Sequence, residues 1–83
     1  MRHARAEALD ELEPMLVELR AVDGLTERSR GVFYRGSRAF LHFHEDPAGA
    51  HVDVRLGVEF ERHRVATRAE QQAAVELVRA AVG

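Results

Sequence analysis

Two pairs of residues, His42 with His44 and His51 with Asp53, carry the densest chemistry in the chain. Within each pair the members stand two apart, so on extended strands they share a face. If the strands pair about the turn Asp46-Pro47-Ala48-Gly49, His44 faces His51 and His42 faces Asp53. Three imidazoles and one carboxylate then meet on one patch, the nitrogen and oxygen donor set of a site for a divalent metal such as zinc. The competing reading is a solvated sheet face on which His42 and Asp53 make an ordinary cross-strand contact. Spacing of this kind is less specific than a finger or zincin motif.

The same reading places Phe33, Arg35, Arg38, Phe40 and Arg55 on that face. Aromatics among arginines on a sheet form the kind of platform on which single-stranded RNA bases stack, and the arginines could hold a small anion. Two neighbouring phenylalanines on a small domain also suggest a covered surface, either by a helix or by a second copy of the chain. The leading expectation is therefore a binding or interaction module that forms a homodimer through this second sheet face or an edge strand. Metal or small-anion binding on the His/Arg face is the alternative, and nucleic-acid binding comes third.

Catalysis has little material. The hydroxyl residues are Ser29, Ser37, Thr26, Thr67 and Tyr34, there is no lysine, and no glycine-rich phosphate loop is present. Glu45 or Asp46 beside His44 could serve as a general base, but acids at a turn have ordinary reasons to be there. The chain is not expected to act as an enzyme alone.

Those residues need strands to position them. Gly31 to Arg35, Arg38 to His44 and Ala50 to Leu56 read as an antiparallel meander, the first turn being Gly36-Ser37 of type II′. Pairing about that turn sets Phe33 opposite Phe40 and Val32 opposite Leu41. One face then carries Val32, Tyr34, Ala39, Leu41, Phe43, Val52, Val54 and Leu56, the expected core. A fourth strand, with imperfect alternation, is expected over Val58 to Val65.

Helices flank the meander. Leu9, Leu12, Met15, Leu16, Leu19 and Val22 share a helical face, so a first helix runs from about Ala4 to Val22 and stops at Asp23-Gly24. Pro14 requires either a bend in that helix or a start near Asp10. Thr26 to Arg30 reads as a polar connection. Thr67-Arg68-Ala69-Glu70 is a capping box that opens a helix ending at Val82, with a stripe of Ala74, Leu77, Val78 and Ala81 widened by Val75 and Val82.

Composition sets the outer bounds. Eighty-three residues read as one α+β domain over residues 1–83, with a helix, a three- to four-stranded antiparallel meander and a helix. Absence of cysteine rules out disulfides and thiolate metal sites and fits a cytoplasmic protein. No apolar run has the length of a membrane span, and the first residues lack the apolar core of a signal peptide. The net charge of −2 divides into −3 over residues 1–25, +2 over 26–68 and −1 over 69–83. That middle excess falls short of the basic character of most nucleic-acid binders. All 12 basic residues are arginine, which fits an arginine-, alanine- and valine-rich composition better than it fits arginine-specific recognition.

The stretch VFYRGSRAFLHFHEDPAGAHVDVRL resembles the sheet region of small bacterial proteins of the MmcQ/YjbR-like kind. These have a strand, a tight glycine turn followed by a basic residue, an aromatic-rich strand and a return strand, matched here by Phe33, Gly36, Arg38 and Phe40. The resemblance covers about a third of the chain, and the long region that follows the sheet in that family is reduced here to one helix. It implies an α+β fold with helices on an antiparallel sheet and a biochemical role that is largely unassigned. It brings no catalytic residues with it.

Overall fold

The computed structural model describes residues 2–83. Its elements in order are β1 (Arg2–His3), α1 (Ala6–Arg20), β2 (Leu25–Ser29), β3 (Val32–Arg35), β4 (Arg38–Asp46), β5 (Gly49–Arg55), β6 (Phe60–Arg64) and α2 (Arg68–Val82). Strands β2 to β6 form an antiparallel sheet in sequence order, and the two-residue β1 pairs with β4 beyond the point where β3 stops. Both helices contribute to the core on one side of this sheet. The architecture is the α+β arrangement expected, with five strands in the meander instead of three or four.

The additional strand is β2, where a polar connection was expected. Its sequence, LTERS, has one apolar residue, so periodicity gave no strand signal. It lies at the edge of the sheet and pairs only with β3. Its Glu27 accepts a hydrogen bond at 2.9 Å from the backbone N–H of Gly31 and also receives the Arg20 guanidinium. The turn into β3 and the end of α1 are thereby joined through one carboxylate.

Helix α1 runs unbroken through Pro14. Proline at this position removes the hydrogen bond to the Asp10 carbonyl, but Pro14 is on the exposed side, and the opposite side buries Leu9, Leu12, Met15, Leu16 and Leu19. Packing of that stripe outweighs the local defect. Arg30 ties Asp10 and Glu13 together at 2.8 and 2.9 Å across the same stretch. Helix α2 opens with the expected capping box: Thr67 accepts from the Glu70 N–H, and the Glu70 carboxylate accepts from the Thr67 N–H. Its buried positions are Gln71, Ala74, Val75 and Val78. The stripe is thus rotated from the expected one, with Leu77 and Ala81 exposed and Val75 fully enclosed.

The β4–β5 hairpin has the expected register, with Leu41 opposite Val54, His42 opposite Asp53, Phe43 opposite Val52 and His44 opposite His51. The β3–β4 hairpin departs from it. Arg35 faces Arg38 and Tyr34 faces Ala39 about a turn in which Gly36 takes φ +64°, but Phe33 then faces Leu41 and Val32 faces His42. A bulge at Phe40 inserts one extra residue in β4 and reverses the facing of β3 beyond it. Phe33 and Phe40 are therefore core residues, at 0% and 4% exposure, while Val32 and Tyr34 turn to the other face and are half-buried. The expected core face keeps Leu41, Phe43, Val52 and Val54 and gives up Val32 and Tyr34.

Candidate functional site

The sheet face away from the helices carries the chemistry. The register of β4 and β5 puts His42, His44 and Asp53 there together, and one donor atom from each lies within 4.8 Å of the others. His44 Nε2 is 3.1 Å and His42 Nε2 is 3.6 Å from Asp53 Oδ2. Asp53 is nearly buried. Two neighbours from β6, missed in the sequence, complete its surroundings. Arg62, directly opposite Asp53, donates to Oδ1 at 2.7 Å and to Oδ2 at 2.9 Å. Phe60 meets the His42 ring edge-on with centroids 5.0 Å apart.

A third neighbour comes from the N-terminal arm. Pairing of β1 with β4 sets His3 beside His44, and the two rings stack with centroids 5.2 Å apart. His42 meets His44 at 4.7 Å in an edge arrangement. The face thus carries a file of rings, His3, His44, His42 and Phe60, with the Arg55 guanidinium 4.5 Å above Phe60 at its end.

Electrostatics of the cluster follow from burial and from the arginine. The hydrogen bonds from Arg62 hold the Asp53 carboxyl below its ordinary range and outweigh the burial that would raise it. Burial, and secondarily the neighbouring His44, lowers the His42 imidazole from its ordinary value of 6.5. At neutral pH the site therefore presents a carboxylate and a His42 ring with a free lone pair. Among the described residues, neither ring nitrogen of the enclosed His44 has a hydrogen-bond partner of good geometry, even though Nε2 is 3.1 Å from Asp53.

Of the expected metal-binding residues, His42, His44 and Asp53 converge. His51 faces His44 through the backbone, but its ring is not part of the three-donor group, and its buried Nδ1 lacks a hydrogen-bond partner. Of the expected ligand or partner residues, Arg35, Arg38, Phe40 and Arg55 line one small pocket of about 160 Å³ at the end of the sheet. Phe33 is not among them, since the bulge encloses it in the core. Arg62 was legible only as part of an alternating charged run, because the irregular connection 56–59 concealed the register that sets it against Asp53. His3 gave no signal, since a two-residue strand has no periodicity to read.

No family model, curated protein or solved structure matches the chain. No helix among the described residues is long and apolar enough to cross a membrane.

Proposed function

We propose that this chain is a small binding module whose open sheet face holds a divalent metal ion of the zinc class between His42, His44 and Asp53. One observation carries the reading: two imidazole nitrogens stand 3.1 and 3.6 Å from one carboxylate oxygen. Ligand atoms about 2.1 Å from a tetrahedral ion are separated by about 3.4 Å, so the two nitrogen–oxygen spacings are those of ligands to one ion, and the third, within 4.8 Å, needs a small side-chain rotation to close on it. Two nitrogens and an oxygen suit a borderline metal, and three protein ligands leave a coordination position for water or a small ligand. Self-association through this face rested on Phe33 and Phe40. With both in the core, the donor cluster is the strongest feature the face retains.

Calorimetric titration of chelator-treated protein with Zn²⁺ tests this. One ion should bind per chain, and His44→Ala should weaken binding by about a hundredfold with the circular dichroism spectrum unchanged. Cobalt(II) should give the visible absorption of a low-coordinate site. Absence of saturable heat up to about 1 mM zinc would sink the reading.

A further inference from the structure

We propose that the end of the sheet carries a second site, independent of the metal cluster, that binds a phosphate group between Arg35, Arg38 and Arg55. Arg35 and Arg38 are opposite one another where β3 turns into β4, and Arg55 comes from the neighbouring β5. All three line the pocket of about 160 Å³, whose other walls are Ala39, Phe40, Leu56 and Gly57. No carboxylate lines it.

The gathering of three arginines without acidic partners at one pocket is the main argument. Arg20, Arg30, Arg62, Arg64 and Arg79 each lie within 4.0 Å of an acidic side chain. Among the described residues, none of the three pocket arginines makes such a pair; Arg5, Arg28 and Arg68 make none either, and what sets the three apart is that they line one pocket. Three arginines lining one cavity make it a positive site that an anion neutralises.

One of the three, Arg55, is also held in place. Arg55 donates from Nε to the Ala39 carbonyl at 3.2 Å and from Nη1 to the Val58 carbonyl at 3.4 Å, and its guanidinium lies over the Phe60 ring. The Arg35 guanidinium lies 6.0 Å from the Phe40 ring centroid. A guanidinium already fixed by stacking and carbonyl contacts loses less freedom when it meets an anion. Planar forks of N–H donors match the tetrahedral oxygens of phosphate, and a cavity of about 160 Å³ has room for a phosphoryl group.

The test is titration of the ¹⁵N-labelled chain with inorganic phosphate and, separately, phenyl phosphate at constant ionic strength, following the arginine Nε–H resonances. Saturable shifts at Arg35, Arg38 and Arg55 are expected with a dissociation constant of about 1 mM or tighter. Arg38→Ala should weaken binding by about tenfold, and Arg28→Ala, outside the pocket, should not. Binding of both probes assigns the site to the phosphoryl group itself; binding of phenyl phosphate alone assigns it to a phosphomonoester. The proposal is overturned if neither probe gives saturable shifts, or if Arg28 and Arg68 respond as strongly as the pocket arginines. The phosphate titration is run on metal-free protein, so each site stands or falls separately.

Discussion

Arg62 holds both oxygens of the Asp53 carboxylate, and one of them, Oδ2, is the same oxygen that His42 and His44 approach. The arginine and a metal ion therefore compete for one atom, and the guanidinium charge opposes the incoming cation. Arg62→Ala should raise zinc affinity by about three- to tenfold in calorimetry, the direction Coulomb repulsion dictates. The same change leaves a nearly buried carboxylate without its strongest donor, so the metal-free protein should lose roughly 1–3 kcal/mol in urea unfolding. Zinc at saturation should restore much of that loss. A variant that binds zinc more weakly would make Arg62 a residue that positions Asp53 and not a competitor.

Glu27 gives the fold an acid sensitivity of its own. Burial would raise its pKa, but the hydrogen bonds from Arg20 and the Gly31 N–H outweigh this and hold it below the ordinary 4.5. A carboxyl depressed in the folded state stabilises the fold fully above its unfolded value and loses that contribution as pH falls through the folded one. Stability should therefore decline below about pH 4.5, and Glu27→Gln should flatten the decline while lowering stability at pH 7. Urea midpoints measured from pH 7 down to pH 3 would show both effects. An unchanged slope in Glu27→Gln would rule out this carboxylate as the cause.

How far the sequence led is clearest at β3 and β4. The β4–β5 register was legible because its turn and its alternation agree, and that register alone brings His42, His44 and Asp53 together. Phe40 was misplaced because a bulge leaves no mark on a pattern in which residues 39 to 43 are apolar at four of five positions; any shift of one keeps the strand plausible. Every assignment in β3 beyond the bulge inherited the error, Phe33 above all. The sequence showed the alternating charges of β6 but not their partners, since Arg62 finds Asp53 only through the 56–59 connection.

The corrected placement of Phe33 makes a sharp contrast with His42 on the opposite face. Phe33→Ala opens a void in a site with no exposure and should cost about 3–5 kcal/mol, enough to unfold a large share of so small a domain. Phe40→Asp, which would merely disrupt a surface contact if Phe40 were exposed, should instead destabilise the fold by about 3 kcal/mol or more, because it takes a buried ring out of the core. His42→Ala should change stability by about 1 kcal/mol or less. Urea denaturation of the three variants separates the core face from the open face. Equal stabilities for Phe33→Ala and His42→Ala would return Phe33 to the surface.

Gly31 approaches α1 so closely that a side chain there would have to displace Leu9. It is buried at φ +80°, between β2 and β3, and a Cβ built there would lie 2.8 Å from Leu9 Cδ2 and 3.4 Å from Phe43 Cδ2. An alanine meets two penalties at once, a left-handed backbone and a side chain driven into Leu9. Gly31→Ala should therefore destabilise by roughly 1–3 kcal/mol. If the clash with Leu9 supplies part of that cost, the double variant Gly31→Ala with Leu9→Ala should be less unstable than the sum of the single changes, by about 0.5 kcal/mol or more. Strict additivity would leave the backbone conformation as the whole of the penalty and would separate Gly31 from the packing of α1.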